Sequence, residues 1–262
     1  MITAGCDIGS LTAKAVIMKD GKIIATNVIL ASAHPEKSAM DVMKRTVEKA
    51  GIKMEDISYC VGTGYGRKHI PFMNSEESEI ACHARGAVWQ MPSARTVVDI
   101  GGQDAKAIRM DEKGNVERYV YNDKCASGTG RFLEIIADSL DIKLEDMGAI
   151  SGKAKEKLTL SNQCVVFAET EIISLVNEGK EIADIVQALH QAVANRAASL
   201  ARGILVEPDA VMTGGVAKNS GMFIALERAL GVKLYKVEDP QINGALGAAL
   251  FAADKVNGGS RT

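Results

Sequence analysis

Three times an acid or hydroxyl residue stands near glycines where an apolar stretch ends, and this placement suits phosphate chemistry. Asp7-Ile8-Gly9-Ser10 closes the first apolar run. A carboxylate at the end of a buried strand can organise Mg²⁺, and a following glycine lets the backbone approach a phosphate. Ser10 and Thr12 can donate to it, and Lys14 is within reach as a point charge. A β-hairpin with a polar turn fits the same residues. Asp99-Ile100-Gly101-Gly102-Gln103-Asp104 repeats the design with two carboxylates around a double glycine. There Asp99 and Asp104 can hold the water ligands of a cation, and Gln103 can orient an attacking water. Met212-Thr213-Gly214-Gly215-Val216 is an apolar stretch ending in Gly-Gly ahead of a helical pattern. It suits the packing of an adenosine against backbone, with Lys218 and Asn219 near its edge. Each glycine pair is weak as a signal, because tight turns use the same residues. The three in this order are much stronger.

A second chemistry rests on cysteine. Of Cys6, Cys60, Cys82, Cys125 and Cys164, the last two stand at the starts of expected helices. A helix N-terminus lowers a thiolate pKa and favours an anionic cluster. A four-iron cluster takes four cysteine ligands, so two such thiolates are half a set, which a two-fold axis would double. Spacing alone better fits two small hydrophobes near glycine-rich turns. Cys6, Cys60 and Cys82 lie on core patterns, and no C-x-x-C pair occurs.

The elements that must position these residues come as a repeated pattern. Strands are expected over 2–7, 11–18 and 22–29, with Asp20-Gly21 as a hairpin turn. A helix over 35–50 follows, stopped by Gly51, then a strand over 57–62 and a helix over 76–88. Strands over 96–100, 105–110 and 116–121 restart the sequence of elements, which reads as an internal duplication. The remainder is mostly helical, over 127–140, 165–177, 182–204, 218–230 and 244–256, with strands at 210–213 and 232–237. Residues 257–262 read as a frayed tail. A boundary near Met91-Pro92-Ser93 divides the chain into domains at 1–93 and 94–262.

Composition limits the alternatives. The 262 residues are 47% hydrophobic and 24% charged, with 25 glycines, which fits an α/β protein. Its 31 basic and 33 acidic residues are mixed along the chain, so no nucleic-acid or membrane surface is expected. The first ten residues have no basic segment or long apolar run, so a cytoplasmic location is expected, with reduced or metal-bound cysteines.

The order DIGS, DIGGQD, TGG resembles the actin-like ATPase superfamily (ASKHA), an α/β fold of two RNase H-like domains around a nucleotide cleft. The longer segments GTGYGR (62–67), SEESEIACHARGA (75–87), DIGGQD (99–104), NDKCASGTGRF (122–132), SNQCVVFAE (161–169), TGGVAKN (213–219) and NGALGAA (243–249) narrow the match. Over essentially the whole chain they resemble the ATP-dependent activators of 2-hydroxyacyl-CoA dehydratases, in the BadF/BadG/BcrA/BcrD-type ATPase family. That resemblance implies ATP hydrolysis coupled to one-electron transfer, with ATP/ADP, Mg²⁺ and one [4Fe-4S] cluster per homodimer, held by Cys125 and Cys164. It implies a dehydratase as partner and ferredoxin or flavodoxin as electron donor. It places catalysis on Asp7, Asp99, Gln103 and Asp104. Nucleotide contacts fall on Gly9, Ser10, Leu11, Thr12, Ala13, Lys14, Gly101, Gly102, Gly214, Gly215, Lys218, Asn219 and Gln241. It makes the segments around Glu79 and Asn243 two domain-connecting helices. The ATPase subunit of a benzoyl-CoA reductase shares much of this pattern. A small-molecule kinase, or a chaperone-like or cytoskeletal ATPase, would use the same fold without the cluster.

Overall fold

The structure, a computed structural model, describes residues 1–161 and 164–258. The chain forms two compact units. The first contains Met1–Ala94, Met110–Val116 and the chain from Val237 onward; the second contains Arg95–Arg109 and Glu117–Lys236. The division therefore differs from a single cut at 93/94, because the chain returns to the first unit after Lys236.

In the first unit, β1 (Ile2–Ile8), β2 (Thr12–Lys19) and β3 (Lys22–Leu30) form an antiparallel meander. β4 (Tyr59–Thr63) and β5 (Ser75–Glu76) continue the sheet in parallel with β1, giving the order β3-β2-β1-β4-β5. α1 (Pro35–Ala50) lies against β1–β3. It opens with Pro35 in its first turn and ends at Gly51, whose left-handed φ of 67° closes the cap. α2 (Glu79–Gln90) and α8 (Asn243–Gly258) pack on one another, and α8 also covers β1 and β4. A sheet covered by helices on both faces explains why β1 is buried almost throughout and reads as a continuous apolar run. Small residues let the backbones approach: a methyl on Gly5 would meet the Ala245 carbonyl, and one on Gly247 the Cys82 backbone. The two helices expected to connect domains are thus neighbours inside the first unit.

The second unit repeats this plan. β6 (Thr96–Ile100), β7 (Ala105–Met110) and β8 (Val116–Asn122) precede α3 (Gly130–Ser139) and a short α4 (Met147–Ser151). α5 (Val165–Asn177), α6 (Ile182–Arg202), β9 (Ala210–Thr213), α7 (Ser220–Leu230) and β10 (Leu234–Lys236) complete it. The sheet order β8-β7-β6-β9-β10 is that of the first unit, element for element. Its core joins Val98, Ile100 and Met212 of the sheet to Phe132, Leu133 and Ile136 of α3 and Leu189 and Val193 of α6. The duplicated α/β topology is the architecture expected of an actin-like ATPase. Among the described residues, no helix is long and apolar enough to cross a membrane.

Several boundaries moved, among them α2, which spans Glu79–Gln90 rather than 76–88, and α7, which begins at Ser220 rather than 218. α3 begins at Gly130 rather than 127, because Gly128 adopts φ 84° and Thr129 is extended at the cap. Of the expected tail, Asn257 and Gly258 continue α8. Asn162, Gln163 and residues 259–262 lie outside the described residues.

Candidate active site

Strand register assembles the same group of side chains in both units. Asp7 is opposite Lys14 across the β1–β2 ladder and beside Thr63 across β1–β4. Asp99 is opposite Lys106 across β6–β7 and beside Thr213 across β6–β9. The turn after each aspartate has the same bond, from Gly9 N–H to the Thr12 carbonyl at 3.0 Å and from Gly101 N–H to the Asp104 carbonyl at 2.9 Å. A glycine with positive φ follows each threonine, Gly64 at 86° and Gly214 at 87°. Neither can carry a side chain. A methyl on Gly64 would meet Asp7 Oδ1, and one on Gly214 the Ile100 carbonyl.

The two aspartates are satisfied differently. Asp7, 2% exposed, pairs through Oδ2 with Lys14 at 3.1 Å, while its buried Oδ1 has no hydrogen-bond partner. Thr63 turns its hydroxyl to the Glu77 carbonyl instead. A buried carboxylate oxygen without a partner among the described residues is costly unless something is to occupy it, and a hard cation or its water is the natural ligand. Mg²⁺ thus fits the residues around Asp7. Asp99, also 2% exposed, accepts from the Thr213 hydroxyl at 2.8 Å and has Lys106 at 3.7 Å. Lys106 also reaches Asp104 at 2.5 Å. Asp99 is held inside a buried network, and Asp104 at its mouth is the more accessible acid of that loop.

Thr63, Lys106 and Thr213 had no assigned role in the sequence reading. The signal was available: Asp7 to Lys14 and Asp99 to Lys106 have the same spacing, and Thr-Gly recurs in GTG and TGG.

The expected nucleotide-contact residues divide between the units. Gly9, Ser10, Leu11, Thr12, Ala13, Lys14 and Gln241 lie in the first; Gly101, Gly102, Gly214, Gly215, Lys218 and Asn219 lie in the second. Ser10, Gln103, Gly215 and Lys218 are exposed. Ala13 has its side chain in the core, leaving only backbone to offer. Asn219 caps α7, its Oδ1 accepting from Met222 N–H at 3.1 Å while its Nδ2 lies 3.1 Å from His190 Nε2. Its amide is therefore used internally. Burial pushes the His190 imidazole down to about 4, so this ring is neutral.

The five cysteines fall into two groups. Cys6, Cys60 and Cys82 are buried, and desolvation raises their thiols, to about 12 for Cys60 and Cys82. Cys125 and Cys164 are exposed. Cys164 is the N-cap residue of α5, as expected, and the exposed Val166 and Phe167 follow it. Cys125 is not at a helix start. It sits in the loop before α3, where the Asn122 side chain donates to its carbonyl at 2.8 Å. The first N–H groups of α3 are engaged elsewhere, Gly130 donating to the Gly101 carbonyl at 2.9 Å and Arg131 to that of Gly102 at 2.7 Å. The helix dipole argument thus holds for Cys164 alone. The bonds to Gly101 and Gly102 instead tie the Asp99–Asp104 turn to the segment after Cys125. Two exposed thiols from one chain fit half of a four-thiolate cluster.

Comparison with known proteins agrees with this arrangement. The model of the BadF/BadG/BcrA/BcrD ATPase family matches residues 4–252. The chain is 46% identical over 256 residues to the activator of lactoyl-CoA dehydratase of Anaerotignum propionicum, covering 96% of this chain and 97% of that one. It is 41% identical to the (R)-2-hydroxyglutaryl-CoA dehydratase activating ATPase of Acidaminococcus fermentans, covering 97% of each. The solved activator of the 2-hydroxyisocaproyl-CoA dehydratase from Clostridium difficile, with bound ADPNP, superposes with a TM-score of 0.96 at 40% identity, covering 100% of this chain and 97% of that one. Duplicated α/β topology, matching aspartate turns and near full-length similarity lead to one conclusion: this chain belongs to the BadF/BadG/BcrA/BcrD ATPase family.

Proposed function

We propose that this protein is a cytoplasmic, ATP-driven activator of a 2-hydroxyacyl-CoA dehydratase, working as a homodimer in which Cys125 and Cys164 of each protomer hold one shared [4Fe-4S] cluster. The observation that carries this reading is the contrast among the cysteines: three are buried with raised thiols, and two are exposed in the unit that also bears the Asp99–Asp104 turn. The family's relatives named as dehydratase activators support the choice of partner. When bound, the cluster supplies a one-electron carrier, with reduced ferredoxin or flavodoxin as its donor.

The chain's own residues then have separable tasks. Asp7 offers its open Oδ1 to Mg²⁺ or a Mg²⁺-bound water, while Lys14 neutralises Oδ2. Ser10 and Thr12, with the backbone of Gly9, Leu11 and Ala13, face phosphate; Gly101 and Gly102 do so in the second unit. Gln103 and Asp104 orient the attacking water. Asp99 holds Lys106 in place for Asp104. In the second unit Gly214, Gly215 and Lys218 border the nucleoside, with Asn219 fixing α7 behind them; in the first unit Gln241 is a further nucleotide contact. Movement of the Gly101–Gly102 backbone is passed to the segment after Cys125 through the two hydrogen bonds to Gly130 and Arg131. The units act as two RNase H-like domains, with α8 returned to the first.

The test is anoxic purification followed by iron, sulfide and ATP-binding measurements. About four irons and four sulfides per two chains are expected. Cys125→Ala and Cys164→Ala should each abolish the broad visible absorbance and leave ATP affinity within about two-fold. Reconstituted protein without iron, or cysteine variants that lose ATP instead, would overturn the reading. A phosphorylated small molecule in place of free phosphate would assign a kinase.

A further inference from the structure

His83 and Asn243 lie in the two helical segments to which the functional reading gives no chemical task. Both are buried, at 4% and 0% exposure, in the first unit. Asn243 Nδ2 donates to the His83 backbone carbonyl at 2.9 Å and lies 3.3 Å from His83 Nδ1. A carbonyl only accepts, so the Asn243 atom facing it is the amide nitrogen, and the oxygen points the other way. There Gln90 Nε2 donates to Asn243 Oδ1 at 3.0 Å, which locks the amide. His83 Nδ1 faces a donor and is the unprotonated nitrogen. The ring proton is therefore on Nε2.

Nε2 faces carboxylates. The Cβ position of Gly244 is 3.1 Å from both His83 Nε2 and Asp7 Oδ2, so the two atoms border one point, and Glu79 Oε1 is 3.9 Å from Nε2. Asp7 Oδ2 thus pairs with Lys14 at 3.1 Å and faces the imidazole across the space over Gly244 without a direct hydrogen bond, while Oδ1 stays open. We propose that His83 is a positioning residue of the Asp7 centre: it turns an N–H donor rather than a lone pair toward Oδ2, and Asn243 and Gln90 hold it in that tautomer. This fixes the carboxylate rotation that presents Oδ1. The inference rests on the reading of Asp7 as the Mg²⁺-organising acid.

The test begins with unmodified full-length protein labelled with ¹⁵N-histidine. A two-bond ¹H–¹⁵N correlation spectrum, assigned through His83→Gln, should show the His83 proton on Nε2; a proton on Nδ1 overturns the inference without any variant having to fold. In Mg²⁺-ATPase assays, His83→Phe should lower kcat about 10- to 100-fold, as loss of an outer partner of a metal ligand does, with KM within about two-fold. His83→Gln, which keeps an N–H donor, should recover most of the rate. Asn243→Asp should move the proton to Nδ1 and lower kcat as well. A folded His83→Phe with normal kcat overturns the proposal. If Asp7→Asn is also fully active, the reading of Asp7 fails; if Asp7→Asn is dead and His83→Phe normal, this inference fails alone.

Discussion

The two units build the same Asp–Lys–Thr–Gly group from the same strand register and leave the two aspartates in opposite states. In the first, Thr63 bonds away from Asp7, Lys14 takes one oxygen, and the other is buried without a partner. In the second, Thr213 bonds to Asp99, Lys106 approaches the other oxygen, and Lys106 is shared with Asp104. A duplicated scaffold thus carries one acid open to a ligand and one that organises its neighbours. The threonine hydroxyl bonds away from the aspartate in the first unit and to it in the second. The same contrast runs through the two buried histidines. His83 is held by Asn243 at Nδ1 beside Asp7, while Asn219 faces Nε2 of His190 and leaves its buried Nδ1 unpartnered.

The sharpest way to break the comparison is to neutralise each aspartate. Asp7→Asn should lower ATPase kcat at least about 100-fold, the scale of losing a preorganised charge at a reacting phosphate. Asp99→Asn should cost about 2 kcal/mol in urea unfolding, since the buried Lys106 loses a buried anionic partner. Equal effects on rate and stability in both variants would dissolve the distinction. Adding a methyl to the glycines sharpens it. Gly64→Ala and Gly214→Ala each force a left-handed residue into backbone, at a cost of about 3 kcal/mol. Only Gly64→Ala points its methyl at the open Asp7 oxygen, so only it should lose kcat beyond its loss of folded protein.

The last effect, confined to low pH, concerns His190. Its folded pKa of about 4 lies below the ordinary value of 6.5, so the unfolded chain binds the proton more readily. Stability is complete above about pH 6.5 and falls as pH drops toward 4. Moving from about pH 7.5 to about pH 5 should cost about 2 kcal/mol by linkage. His190→Gln should remove that component from the urea-unfolding profile; the same slope in both proteins would refute the assignment.

Much of this was legible in the chain. The first strand of each meander ends next to Asp7 and Asp99, where apolar runs give way to glycine turns, and the two copies of the pattern match in topology. Lys106 was missed because a lysine in an apolar strand reads as a solvated edge until its ladder partner is known. His83 and Asn243 were missed because residues 160 positions apart meet only when α8 packs on α2. The Cys125 loop was misread as a helix start, since nothing short of the Gly128 dihedral marks where α3 begins.

Read alone, the residues specify the strands, the turns, the two acidic glycine loops and the pair of cysteines apart from the core, because each depends on neighbours a few positions away. Which carboxylate oxygen is satisfied, which histidine nitrogen bears the proton and which unit claims the last helix were decided by tertiary packing. Those outcomes turn on hydrogen bonds a few ångströms long between segments that periodicity cannot bring together.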